Sequence, residues 1–301
     1  MKIVFAAKGH EYLIEALSEL GEVIVFDSEN DNDFGSEADV LIVASSPMVD
    51  LTLLEKFPSL KALVRVGSGF DNIDIDALKE RNIKFIRVPE GNRDSVAEHT
   101  LLLITGLLRK INKAIVKGFE KPWDREGVVG NELKGKVVGI VGYGNVGWEV
   151  AQRLVSLGCI VNTWDPYRKF NPVPGVGNVP YEELLALSDI ISFHIQDVNN
   201  GYLFDFDHLE KVKRGVLIVN TSRGNVVNTR ALIQGLRSGV IGGLAIDVIE
   251  GEPNSQFIDE LKTFDNVIAT PHVAGHSYEA YEKMKELVVR KIKYTLSNLM
   301  L

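Results

Sequence analysis

The sequence predicts an α/β protein built from two doubly wound, parallel-sheet domains. Three observations carry that prediction. Short β-branched runs alternate with longer stretches of helical periodicity. The runs are apolar almost throughout, as strands covered on both faces are. The series also starts afresh in the second half of the chain, which implies two sheets. The 301 residues suit this division, since a domain takes about 150 residues.

In the first series the runs are Ile3–Ala6, Val23–Phe26, Val40–Ala44, Leu63–Val66 and Phe85–Val88. Helix-like stretches at Glu11–Leu20, Leu51–Phe57 and Ile75–Arg81 lie between them. A long helical stretch follows. Ser95-Val96-Ala97-Glu98 has capping-box spacing, and the helix is expected to run from there to near Lys117. Leu101, Ile104, Leu108, Ile111 and Ile115 share one of its faces. That stripe reads first as core and second as a subunit interface. Arg109, Lys110, Lys113 and Lys117 read as a solvated face. After Gly135 come Val137–Val141, Ile160–Trp164, Ile190–Phe193, Val216–Asn220, Leu244–Val248 and Val267–Ala269. Asn171–Pro180, with three prolines and two glycines, reads as a loop, and Tyr278–Asn298 as a final helix.

Composition narrows the function. The chain is 45% hydrophobic and 25% charged, ordinary for a globular protein. Lys and Arg number 33 against 41 Asp and Glu, a net charge of -8. An acidic surface argues against general nucleic-acid binding, whose affinity comes from cations meeting phosphates. A small anion held by a few local cations stays possible. One cysteine, Cys159, precludes an internal disulfide and suits a reducing compartment. The N-terminus lacks a signal-peptide pattern. The most apolar long segment, Leu101–Leu108, is far short of the ~20 residues that cross a bilayer. A soluble, cytoplasmic protein with no membrane partner is expected. The six histidines show no metal-ligand spacing, so no metal is expected.

The strongest local signal is Gly142-Tyr143-Gly144-Asn145-Val146-Gly147. A buried strand precedes it and a helix from about Val146 to Leu157 follows. Gly142 permits a tight turn, Gly144 lets backbone approach a pyrophosphate, and Gly147 lets helix and strand pack closely. The pyrophosphate would sit on N–H groups at a helix N-terminus. Asp165, ending the next strand, stands where such sites place an acid on the ribose hydroxyls. It would repel a 2′-phosphate and so favours NAD over NADP, although Arg168 lies nearby.

Three polar clusters end later strands: Asn220-Thr221-Ser222-Arg223-Gly224, Asp247-Val248-Ile249-Glu250-Gly251-Glu252-Pro253, and Thr270-Pro271-His272-Val273-Ala274-Gly275. Ligands of open α/β sheets bind at the carboxyl ends of strands. Hydride transfer from an alcohol needs a base for the hydroxyl proton, a cation for a carboxylate or carbonyl, and a group that tunes the base. An Arg, an acid and a His supply those parts.

With these motifs, the sequence resembles the D-isomer-specific 2-hydroxy acid dehydrogenases over nearly its whole length. The resemblance also rests on Val66-Gly67-Ser68-Gly69-Phe70-Asp71-Asn72-Ile73-Asp74, Val96-Ala97-Glu98-His99, Trp123 and the lead-in Glu132–Gly139. It implies Rossmann-like and flavodoxin-like domains with the active site in a cleft between them. Residues 1–94 with 276–301 would form a discontinuous substrate domain, and 95–275 the NAD-binding domain. His272 resembles the family's acid/base, Glu252 its hydrogen-bonded partner favouring the imidazolium, and Arg223 the residue gripping the substrate carboxylate. Spacing from Asp247 selects Glu252 over Glu250, and the Thr-Pro-His context selects His272 over His276. Asp247 and Thr221 would lie on the cofactor side, with Asp247 near the nicotinamide. His194 would flank the adenosine, and Ser68 and Gly69 resemble the carboxylate-binding loop. His99 either packs or caps its helix or lines the cleft, and Cys159 is expected to be inert. Homodimers through the nucleotide-binding domain are usual in the family.

For the substrate, Arg65 stands where the phosphoglycerate dehydrogenase branch commonly carries an Arg that can face a phosphate. Pro89–Ser95, with Arg93, is also closer to that branch. Val43-Ala44-Ser45-Ser46 lacks an arginine that many of those enzymes carry, and a chain ending at Leu301 leaves no room for a regulatory domain. The favoured expectation is 3-phospho-D-glycerate, then glyoxylate or hydroxypyruvate reduction. The expectation from another class is a non-catalytic NAD sensor of the corepressor type.

Overall fold

Strands that are apolar on both faces need helices on both faces, and each sheet of this protein is covered in that way. The computed structural model describes residues 1–26, 37–67, 69–121, 123–167, 173–196 and 201–298. The chain divides into two compact units, Met1–Arg93 with His276–Leu301, and Asp94–Gly275.

In the first unit β1 (Lys2–Ala6), α1 (Ile14–Ser18), β2 (Glu22–Val25), β3 (Val40–Val43), α2 (Leu51–Glu55), β4 (Ala62–Arg65), α3 (Ile75–Glu80) and β5 (Lys84–Arg87) follow one another. The five strands are all parallel, in the order β2-β1-β3-β4-β5. Asp50 caps α2 through Leu53 N–H, and Asp74 caps α3 through Asp76 and Ala77 N–H. Strand residues alternate between two cores. Ile3, Phe5, Ile42 and Val64 pack with Leu13 and Leu17, while Val4, Leu41, Val43 and Leu63 pack with Leu54, Phe57 and Leu78. The expected Glu11–Leu20 helix is a 3-10 turn, Glu11–Leu13, followed by the shorter α1.

The second unit holds α4 (Arg93–Leu108, with its first residue in the preceding unit), α5 (Ile111–Glu120), β6 (Val137–Val141), α6 (Asn145–Ser156), β7 (Ile160–Trp164), β8 (Val176–Asn178), α7 (Tyr181–Leu187), β9 (Ile190–Phe193), β10 (Val216–Asn220), α8 (Thr229–Ser238), β11 (Ile241–Ile246), α9 (Ile258–Leu261) and β12 (Val267–Ala269). Its parallel sheet runs β12-β11-β10-β9-β6-β7-β8. Helices α4 and α6 cover Val138, Ile140, Val161 and Ala245 on one face. Leu184, Leu185, Leu232 and Leu236 cover Ile191, Phe193, Ile218 and Leu244 on the other. The chain ends in α10 (Tyr278–Ser297), capped by Ser277, whose Met284, Val288 and Ile292 join the core of the first unit.

Four expectations need correction. The helical stretch from Ser95 is two helices, because Lys110 takes the left-handed conformation (φ 50°) between them. Its apolar stripe divides there: Ile104 and Leu108 are buried, whereas Ile111 and Ile115 are exposed. Ser95 lies inside α4, and its hydroxyl donates to Ala274 O at 2.8 Å. The 171–180 loop contains β8, whose Val176–Asn178 pair with Val161–Thr163. Lastly, β11 starts at Ile241, ahead of the expected Leu244, and stops before Asp247. Gly242 and Gly243, outside the expected run, are strand residues. A Cβ on Gly242 would lie 2.5 Å from Gly215 O, so close backbone packing explains the glycine.

Candidate functional site

The order of the second sheet reverses at β6, which lies between β7 and β9. In a doubly wound sheet the loops diverge at such a point and leave a crevice. The glycine loop leaves β6 there. His194 N–H donates to Val141 O (2.7 Å), which brings the end of β9 against the loop. Gly142 has φ +96°, and a Cβ on it would lie 2.7 Å from the His194 carbonyl carbon. A Cβ on Gly147 would lie 2.0 Å from Gly142 O. Gly144 is the N-cap of α6 and brings no side chain to that terminus. Asn145 and Val146 open the helix, half-buried. The bare helix N-terminus and close-packed glycines fit a dinucleotide pyrophosphate.

Asp165 directly follows β7, and its carboxylate accepts Tyr143 N–H and Tyr167 N–H, both at 2.8 Å. It therefore anchors the glycine loop itself. Arg168 lies outside the described residues. His194 Nε2 lies 2.9 Å from Ser192 Oγ, while its Nδ1 is buried with no hydrogen-bond partner among the described residues. Burial pushes this imidazole down to about 3.

The polar clusters leave β10, β11 and β12, which are adjacent in the sheet. Asn220 shapes the first turn. Its Oδ1 accepts the Ser222 N–H and hydroxyl, and its Nδ2 donates to Arg223 O at 2.8 Å. Arg223 is half-buried, with Nη1 donating to Ser222 O at 2.7 Å. A Cβ on Gly224 would lie 2.1 Å from the Ile249 carbonyl carbon, so this turn packs backbone to backbone on the loop carrying Glu252. Glu252 Oε1 lies 2.8 Å from His272 Nδ1, which leaves Nε2 of this exposed imidazole for a ligand. Glu250 instead accepts the Tyr202 hydroxyl at 2.7 Å. The two glutamates thus have different partners.

Asp247 is buried and committed to protein donors. Its Oδ1 accepts the Thr270 hydroxyl (2.5 Å) and Val273 N–H (2.9 Å), and its Oδ2 accepts Ala274 N–H (2.9 Å). Thr221 Oγ1 lies 2.9 Å from Thr100 Oγ1. In the sequence Thr270 stands out only as context for His272, and no motif marks Thr100. The Thr-Pro-His triplet was the available signal for Thr270, but its partner Asp247 is 23 residues away.

In the first unit Arg65 ends β4 and is buried, directly across the ladder from Arg87 on β5. Gly67 follows with φ +100°, and a Cβ on it would lie 3.1 Å from Arg65 Nη1. Gly69 is buried, and Ser68 lies outside the described residues. The Arg87 guanidinium sits 4.2 Å from the Phe70 ring centroid. Arg93 is half-buried at the start of α4. Burial first, then the charges of Arg65 and His276, hold His10 below its ordinary value, against a hydrogen bond to Lys8 O that opposes them. His276 Nδ1 lies 3.0 Å from the Tyr281 hydroxyl. Among the described residues no group of three or more His, Cys, Asp or Glu could hold a metal ion, and no helix is long and apolar enough to cross a membrane.

Residues 101–274 match the family model described as D-isomer specific 2-hydroxyacid dehydrogenase, NAD binding domain. The chain is 36% identical over 258 residues to a hydroxypyruvate reductase of Thermotoga maritima, covering 85% of this chain and 84% of that protein. It is 36% identical over 257 residues to a D-3-phosphoglycerate dehydrogenase of Archaeoglobus fulgidus, covering 84% of this chain and 49% of that protein. The structure superposes with a TM-score of 0.88 on D-lactate dehydrogenase from Aquifex aeolicus complexed with NAD and lactic acid. That pair is 26% identical, with 99% of this chain and 96% of the other covered.

Proposed function

The chain belongs to the D-isomer specific 2-hydroxyacid dehydrogenases, and on that premise we propose that it interconverts 3-phospho-D-glycerate and 3-phosphohydroxypyruvate. It is an NAD-dependent oxidoreductase acting on CH–OH donors. NAD, when bound, supplies the hydride acceptor. His272 takes the substrate hydroxyl proton at Nε2. Glu252, bonded to Nδ1, orients the ring so that Nε2 is left for the substrate. Arg223 grips the substrate carboxylate and polarises the reacting carbonyl. Gly142 to Gly147 cradle the pyrophosphate, with Asp165, His194, Thr221 and Asp247 on the cofactor side. Residues 95–275 are the NAD-binding domain, and residues 1–94 with 276–301 the substrate domain, with Arg65, Ser68 and Gly69 as its ligands.

The observation carrying the phosphorylated substrate is Arg65, a buried guanidinium at the carboxyl end of β4 against Gly67. A cation held there suits a substrate with a second anionic group. Hydroxypyruvate or glyoxylate reduction is the second reading, favoured by the match along most of the Thermotoga maritima reductase. We further propose a homodimer through the second unit. Its α5 is amphipathic and buries none of its residues, leaving Ile111, Ile115, Val116 and Phe119 exposed, with Trp123 just beyond. A reducing compartment such as the cytoplasm suits a chain with one cysteine.

The test is NADH oxidation with 3-phosphohydroxypyruvate, hydroxypyruvate, glyoxylate and pyruvate. The proposal expects the highest kcat/KM for the phosphorylated acid and a selective loss of that preference in Arg65→Leu. Preference for hydroxypyruvate or glyoxylate would move the protein to the reductase reading. Tight NADH binding without turnover of any of the four would favour an NAD sensor. His272→Ala should abolish turnover while leaving NADH affinity within twofold, and retained turnover would remove His272 from its role.

A further inference from the structure

Beside the His272–Glu252 pair, the end of β12 carries a second hydrogen-bonded chain, and the proposed reaction gives no role to two of its members, His99 and Thr270. His99, on the second turn of α4, places Nε2 3.0 Å from Thr270 Oγ1. Thr270 Oγ1 in turn lies 2.5 Å from Asp247 Oδ1. The donor inventory sets the direction of this chain. A carboxylate only accepts, and a threonine hydroxyl has one proton to give. Thr270 gives its proton to Asp247, so its oxygen accepts and His99 Nε2 must carry the other hydrogen. His99 Nε2 is 3.7 Å from Asp247 Oδ1, beyond hydrogen-bond reach. Thr270 is therefore the link between them.

The chain ends on the backbone that bears His272. Asp247 takes the N–H groups of Val273 and Ala274, the two residues after it. The N–H of His272 itself donates to Asp247 O (2.9 Å) and Thr270 O (3.0 Å). His272 has φ +55°, a left-handed conformation that a non-glycine residue keeps only where its surroundings hold it. We propose that His99 is a positioning residue for His272. By donating to Thr270 it turns that hydroxyl onto Asp247, and the three side chains together hold the 270–274 turn at the angle that presents His272 Nε2. The proposal rests on the reading of His272 as the proton-transferring group.

Two pairs of variants test it, with the panel acid that the parent enzyme reduces fastest. His99→Leu keeps bulk and loses the donor, whereas His99→Gln keeps an N–H of similar reach. The expected result is a kcat at least tenfold lower for His99→Leu, with KM for the acid and the NADH dissociation constant within twofold. His99→Gln should recover to within threefold of the parent. Thr270→Val should lose as much as His99→Leu, Thr270→Ser should recover, and the His99→Leu/Thr270→Val double variant should lose no more than the worse single one. Equal kcat for the Leu and Gln variants, or losses that multiply in the double variant, would overturn the proposal. If His99→Leu no longer binds NADH, the Thr270 pair decides: Thr270→Val as fast as Thr270→Ser sinks the idea. His272→Ala separates the two readings. Turnover by that variant removes the proposed mechanism, whereas an inactive His272→Ala beside fully active His99 variants removes only the positioning role.

Discussion

Asp165 shows how one side chain can serve two demands. Its position at the end of β7 suits ribose recognition, and its carboxylate also holds the Tyr143 N–H of the glycine loop. Asp165→Ala should therefore weaken NADH binding tenfold or more as well as narrow the preference over NADPH. Steady-state kinetics with both cofactors checks this, and an unchanged kcat/KM ratio would end the specificity role. His194 makes a different residue-scale prediction. The fold holds its imidazole neutral, with the pKa pushed from 6.5 down to about 3 by burial. Below pH 6.5 the unfolded chain takes a proton that the folded chain refuses. The stabilisation is complete above that pH and is lost as pH falls toward 3. Between pH 7 and pH 5 the parent protein should lose about 2 kcal/mol more unfolding free energy than His194→Gln. Denaturant titrations at the two pH values measure it, and parallel losses would contradict it.

At the scale of elements, the strand ends carry the site and glycines set how closely they approach. Gly224→Ala puts a Cβ 2.1 Å from the Ile249 carbonyl carbon, so the Arg223 turn and the Glu252 loop must move apart. The expected outcome is a tenfold or greater fall in kcat/KM with NADH affinity within twofold. Stability should drop by about 1–3 kcal/mol, the usual size for overpacking. Titration calorimetry with NADH separates this from general unfolding. The strands β6, β7, β9, β10 and β12 were legible to the residue because each is a short run rich in β-branched and aromatic residues bounded by polar or turn-forming ones. The Ile241-Gly242-Gly243 start of β11 was not, because the reason for Gly242 is the carbonyl of Gly215, on another strand's approach. The break at Lys110 was equally hidden. Arg109-Lys110 has no glycine or proline to mark a stop, and the ties on either side are long-range, Leu108 O accepting Asn131 N–H and Asn112 Nδ2 donating to Asp265 O.

For the whole molecule, the proposed homodimer turns on the exposed face of α5. Phe119 is 85% and Trp123 88% exposed in the single chain. Aromatic rings so placed are costly to leave in water, and a second copy covering them would offset that cost. Phe119→Asp should halve the mass in sedimentation equilibrium at micromolar concentration, and an unchanged dimer would place the interface elsewhere. Within each unit, stability comes from two cores on opposite faces of one sheet, and α10 returns from the far end of the chain to complete the first unit.

By itself the sequence determined the two-sheet α/β architecture, the glycine loop and the residues of the three polar clusters. Each of these is a local pattern: an apolar period, a Gly spacing, or a polar residue at the end of an apolar run. Only the tertiary structure decided which of those residues meet. Beyond the Glu252–His272 pair that the resemblance implies, it gave Glu250 to Tyr202, turned Asp165 onto the glycine loop, and joined His99 to Asp247 through Thr270. It also showed that the stripe beginning at Leu101 is core in α4 and surface in α5. Those pairings link residues up to 171 positions apart, and hydrogen-bond direction and close packing depend on where the sheet brings strand ends together.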